Sequence, residues 1–168
     1  MNVYRVVPFG YCQGVVLAMS KALQYASTHQ GEEIYLLGML VHNEDAVASL
    51  STLGVHVLDE RESPLIEHLQ NIPDHATLIF SAHGHPRVFE EIAKQKGLKI
   101  IDTTCVYVDE NKIEALNRYE YSSDLIYIGS KGHLEAEAVL EDLPEASFYN
   151  VKDRSLDIRG LLDRKSVV

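Results

Sequence analysis

Cysteine is scarce in this chain: two residues in 168, at positions 12 and 105. Such a pair cannot make the disulfide framework that staples small secreted domains, and it contains no local Cys-x-x-Cys zinc spacing. Reduced thiols or metal ligands remain. Positive charge is also short, with 15 Lys and Arg against 25 Asp and Glu and a formal net charge of −10. That balance speaks against a nucleic-acid backbone as the main partner, whereas a small anion needs only a local cluster of donors. No apolar run reaches the length of a membrane span. Met1-Asn2-Val3-Tyr4-Arg5 enters a strand with no secretory leader, so the expectation is a cytoplasmic protein with no membrane association. Low-complexity tracts and fixed-period repeats are missing as well.

What is present is an ordinary globular composition, 46% hydrophobic and 24% charged, in a chain long enough for one large domain or two small ones. Apolar runs of strand length alternate with helical patterns. Strands are predicted at Val3–Val7, Glu33–Leu37, Val55–Leu58, Thr77–Phe80, Leu98–Ile101, Asp124–Ile128 and Ser147–Val151. Helices are predicted at Val16–Thr28, Asn43–Leu53, a short stretch opened by Ser63-Pro64, Pro86–Lys96, Val106–Tyr119, Leu134–Leu143 and, more weakly, Leu156–Arg164. Lys165-Ser166-Val167-Val168 reads as the start of a further strand. The alternation implies an α/β fold of two small parallel-sheet lobes, residues 1–101 and 102–168, with right-handed crossovers.

In open α/β sheets ligands bind beyond the carboxyl ends of the strands, and the unusual residues of this chain fall there. Gly10-Tyr11-Cys12-Gln13-Gly14 follows the first predicted strand. Its glycines permit unusual backbone and close approach, and a helix start favours the thiolate. A small buried cysteine behind a turn would read the same way. Later strands lead into Val41-His42-Asn43, Ser81-Ala82-His83-Gly84-His85, Asp102-Thr103-Thr104-Cys105 and Gly132-His133-Leu134-Glu135. Three histidines (His42, His83, His133), with Asn43, Ser81, Thr104 and several helix N-termini, make a donor-rich set suited to a phosphate or diphosphate. The two cysteines suit a thiolate-bound metal or cluster, and Glu135 beside His133 suits proton relay. His29, His56, His68 and His75 are scattered and read as solvated or structural. A Ser-His-Asp hydrolase lacks its nucleophile elbow, and a dinucleotide fold lacks Gly-x-Gly-x-x-Gly.

These five motifs, in this order and approximate spacing, resemble the LytB/IspH family of 4-hydroxy-3-methylbut-2-enyl diphosphate reductases of isoprenoid biosynthesis. The resemblance implies three α/β lobes around a central 4Fe-4S iron–sulfur cluster, with one cysteine from each lobe. It implies Cys12 and Cys105 as cluster ligands and His42, His83 and His133 as diphosphate ligands, with Asn43 and Ser81 beside them. Glu135, with His133, is implied as the catalytic proton relay. An electron donor such as ferredoxin or flavodoxin would serve an active enzyme.

The chain also departs from the family pattern. There is no third cysteine and no third lobe with its Ser and Asn ligands. Val106 stands where a proline is expected after the second cysteine, Asp109-Glu110-Asn111 replaces a Lys-Val-His-like stretch, and Leu134 replaces a proline. The expectation is therefore a catalytically incomplete, reductase-like homo-oligomer. The competing reading is a degenerate homologue that binds a small (di)phosphate or a protein partner without redox activity.

Overall fold

The computed structural model describes residue 4 and residues 10–40, 43–121 and 125–158. Among these the order is α1 (Gln13–Thr28), β1 (Ile34–Leu37), α2 (Glu44–Thr52), β2 (Val55–Leu58), α3 (Leu65–Asn71), β3 (Thr77–Phe80), α4 (Arg87–Gln95), β4 (Lys99–Asp102), α5 (Val106–Tyr121), β5 (Ile126–Gly129), α6 (Leu134–Leu140), β6 (Ser147–Asn150) and β7 (Ser155–Asp157). Apart from residue 4, the strand expected at Val3–Val7 lies outside the described residues, as do the strand start at 165–168 and His42. No described helix is long and apolar enough to cross a membrane.

The first sheet is four-stranded and parallel, in the order β2-β1-β3-β4. Its central strand β3 is buried at all four positions, as a sheet covered on both faces requires. Alternation along the strands sends side chains to two cores. Ile34, Leu36 and Ile79 pack on one face with Ala18, Ala22 and Ala26 of α1. Leu37, Leu78 and Phe80 pack on the other with Leu69 of α3 and with Phe89 and Ala93 of α4. The buried stripe of α1 is thus made of alanines at helical spacing, which lets the helix lie close to the sheet, while Leu17 is turned out.

The second sheet, β5-β6-β7, has a smaller core centred on Val139, Leu143 and Ala146. Strands β5 and β6 are parallel, and β7 pairs antiparallel with β6 at the edge. This corrects the helix expected from Leu156. The Ser155 N–H and hydroxyl donate to Asp153 Oδ1 at 2.9 and 2.6 Å, and Arg154 has a φ of +60°. That turn folds the chain back onto β6, and pairing there overrides a weak helical pattern. The rest of that expected helix lies outside the described residues. Ser63 was expected to cap α3, but Pro64 occupies the cap position and gives no side-chain hydrogen bond.

Helix α4 meets the end of α6 through charge. Pro86 cannot cap α4 with a side chain, so the Glu141 carboxylate does so, accepting from the Arg87 N–H and from the Val88 N–H at 3.3 Å. Asp142 pairs with Arg87 and, at 2.7 Å, with Lys112 of α5. This network joins helices of the two sheets.

Candidate functional site

Two groups of candidate residues come together at the strand ends. The first is built on the N-terminal ends of α1 and α5. Cys12 is exposed and occupies the N-cap of α1, its carbonyl accepting the Val16 N–H at 3.1 Å. Cys105 is half-buried, and its carbonyl accepts the Val108 N–H at 2.8 Å, which opens α5. The two ends touch at Gly14: a Cβ there would fall on the Cys105 thiol and lie 3.2 Å from its Cβ. Glycine at this position is thus required by close approach, and Gly10 takes a left-handed φ of +111°. The turn before Cys105 is held rigidly. Asp102 Oδ1 accepts the Thr104 N–H and hydroxyl at 2.8 and 2.6 Å, and the Thr103 hydroxyl donates to Phe80 O at 2.5 Å. The Cys105 N–H donates to Ala82 O at 3.0 Å, which places the thiol beside the turn that carries His83.

The second group is a pair of imidazoles. His83, after β3, and His133, at the N-cap of α6, meet edge to face with ring centroids 5.6 Å apart. Both line a cavity of about 580 Å³ between the two sheets, walled by Leu65, Phe89 and Leu134, with Lys152 at its margin. The two carboxylates that line it are held by backbone. Glu60 Oε2 accepts the Met39 N–H at 3.2 Å, and Glu137 Oε1 accepts the Gly132 N–H at 3.1 Å.

Other candidates stand differently from expectation. Asn43 caps α2, its Oδ1 accepting the Asp45 and Ala46 N–H groups at 2.9 and 3.2 Å, so only its amide nitrogen could serve a ligand. Ser81 is 1% exposed, and its hydroxyl has no hydrogen-bond partner among the described residues. Glu135 does not line the cavity; Glu137, two residues on, does. Glu135 instead lies near Tyr127, whose hydroxyl is pushed up by burial first and by the Glu135 charge second.

A model of the LytB protein family matches residues 3–167. The chain belongs to the LytB family. Among curated LytB-type relatives, it is 39% identical over 147 residues to the 4-hydroxy-3-methylbut-2-enyl diphosphate reductase of Anoxybacillus flavithermus, covering 87% of this chain and 46% of that one. It is likewise 39% identical over 163 residues to the reductase of Bacillus subtilis, covering 96% and 50%. A solved Plasmodium falciparum E-1-hydroxy-2-methyl-but-2-enyl-4-diphosphate reductase superposes with a TM-score of 0.71 at 29% identity, covering 87% of this chain and 43% of the other. The chain thus spans about half the length of the curated LytB relatives it matches.

Family motifs account for the thiol and imidazole groups, but not for the remaining lining of the cavity. Phe89, Leu65 and Lys152 carry no motif of their own and come to one place only through the packing of α3, α4 and β6. His29 and His56 stack on Tyr25 and Tyr35 at 3.9 and 4.9 Å, and His68 Nε2 bonds Asp59 O at 3.0 Å, so these three have structural contacts, as expected.

Proposed function

We propose that this chain forms the diphosphate-holding part of a LytB-type site and is catalytically incomplete by itself. The His83–His133 pair at one cavity, contributed by both sheets, carries this reading. Two imidazoles at turns, with the start of α6 in the same lining, supply N–H donors to phosphate oxygens, and Lys152 adds a charge. The Ser81 hydroxyl next to His83 is a further buried group whose hydrogen-bonding capacity a ligand or water would use. His42 and the Asn43 amide complete the set by resemblance to the family. The natural occupant is an allylic diphosphate of the kind named in the relatives.

Cys12 and Cys105 fit two corners of an iron–sulfur cluster, because both thiols stand at helix N-termini that Gly14 allows to touch. When bound, such a cluster supplies electrons for reductive loss of an allylic hydroxyl. The chain has no third cysteine. Among the described residues no group of three His, Cys, Asp or Glu side chains is placed to hold a metal ion. Two thiols hold only part of such a centre, and further ligands would come from outside these residues. Binding without turnover is therefore the activity expected of the isolated chain.

The test is calorimetric titration with sodium pyrophosphate at pH 7. His83→Ala and His133→Ala should each weaken binding by about tenfold, roughly 1.4 kcal/mol. Affinity indifferent to both substitutions would reject the assignment.

A further inference from the structure

Two turns at the carboxyl edge of the second sheet each send one residue to the cavity of the imidazole pair. The turn after β5 carries His133, and the turn after β6 carries Lys152. At the end of the paired stretch the Val151 N–H donates to Gly129 O at 2.8 Å. Beyond that point a side chain takes over from the backbone ladder. Asn150, the last residue of β6, is 7% exposed, and its Oδ1 accepts the Lys131 N–H at 3.1 Å and the Lys152 N–H at 3.3 Å. One buried carbonyl therefore holds both turns at once.

An asparagine that merely ended β6 would need the Lys152 bond alone, the turn that such residues make to their own chain two positions on. The second bond reaches 19 residues back, to the turn that leads into His133. The rest of the side chain is committed as well. The Ser155 hydroxyl and N–H, and after them a hydrogen bond from Asn150, hold the Asp153 carboxyl below the ordinary carboxylate range, which fixes the far side of the Lys152 turn. The His133 turn has two further ties: the Gly132 N–H donates to Glu137 Oε1, and the His133 N–H to Ser130 O, each at 3.1 Å. Neither reaches β6, whereas Asn150 Oδ1 joins this turn to the one that carries Lys152.

We propose that Asn150 is a positioning residue for the anion, tying the Lys152 turn to the His133 turn so that ammonium and imidazole serve one diphosphate. This rests on the diphosphate reading given above. A lysine on an exposed turn is a compact charge on a flexible stem, and fixing the backbone beneath it reduces the freedom lost when it meets a ligand. Asn150→Leu keeps the bulk and removes the acceptor, so the Lys131 and Lys152 N–H groups lose their partner together. The charge of Lys152 stays, but the tie that sets it relative to His133 is gone.

The experiment uses the full 168-residue chain. Pyrophosphate affinity is read by calorimetry, and amide exchange at Lys131 and Lys152 by NMR. Asn150→Leu should speed exchange at both amides about tenfold or more without ligand. It should weaken pyrophosphate binding about fivefold, and Lys152→Met should do the same. Because Asn150 acts through Lys152, the double variant should also lose about fivefold, not the roughly 25-fold of independent effects. A leucine variant that binds like wild type, losses that multiply in the double variant, or a Lys131 amide that exchanges as before would overturn the proposal and leave the diphosphate reading standing. A wild type that binds no pyrophosphate, or binds it regardless of His83→Ala and His133→Ala, would overturn the diphosphate reading, and the role of Asn150 with it. If the leucine variant does not fold, the wild type decides: pyrophosphate should slow exchange at both amides along one saturation curve, and amides unchanged at saturation would overturn the proposal.

Discussion

At the residue scale the site turns on which positions can be small and which groups are left facing one another. Gly14 was legible because a glycine two residues after a cysteine at a helix start has few other uses, and the Cys105 thiol does come against it. The small cavity lined by His85, Asp102 and Asp109 was not legible, since these residues come from the loop before α4, from β4 and from α5, and only the fold brings them together. Asp109 gives a directional test. Its carboxyl is raised by desolvation and by Asp102, so the folded state holds this proton more tightly than the unfolded state does. Stability from this group is therefore greatest at low pH and falls as pH rises from the reference value of 3.8 through the folded value. Asp109→Asn should be more stable than wild type at pH 7, by about 0.5 kcal/mol or less because the carboxylate is largely solvated, and should lose that advantage near pH 3.5. Urea melts at the two pH values check this; a variant equally favoured or disfavoured at both would contradict it.

At the element scale the first sheet was readable and the second only in part, for one physical reason. Strands β1 and β3 are covered on both faces, so they write themselves as apolar runs bounded by turn residues. Strand β7 is exposed at every position and leaves no such trace; a hydrogen-bonded Asp153–Ser155 turn, not burial, puts it there. Helix α4 shows a similar division. Pro86 marked its start, but the cap belongs to Glu141, far along the chain. Glu141→Ala strips acceptors from two N–H groups and should cost about 1 kcal/mol, within the usual range for a lost N-cap. Adding Pro86→Ser to that variant offers a local hydroxyl cap and should restore much of the loss. A double-mutant cycle by thermal denaturation measures it. No loss in Glu141→Ala, or no recovery in the pair, would show that the Glu141 contact is not what stabilises this end of α4.

At the scale of the whole molecule the starts of α1 and α5 present exposed apolar residues. Tyr11, Val16 and Leu17 at the start of α1 are 51%, 47% and 57% exposed, and Val106 and Tyr107 at the start of α5 are 49% and 51% exposed. Gly14 sets these two helix starts side by side, with a Cβ there reaching to within 3.9 Å of the Tyr107 ring, so their exposed apolar residues lie near Cys12 and Cys105 in sequence and near one another across Gly14. Scattered exposed apolar residues are ordinary, but a contiguous patch of several hundred Å² favours association. The net charge of −10 opposes association through charged surfaces, so an apolar patch is where two copies would meet. The chain should accordingly self-associate at tens of micromolar, and Leu17→Glu, which puts a charge among these residues without touching the core, should return it to monomer. Light scattering with and without the substitution reads this directly. A wild-type monomer at that concentration, or an oligomer that ignores the new charge, would place the contact elsewhere or nowhere.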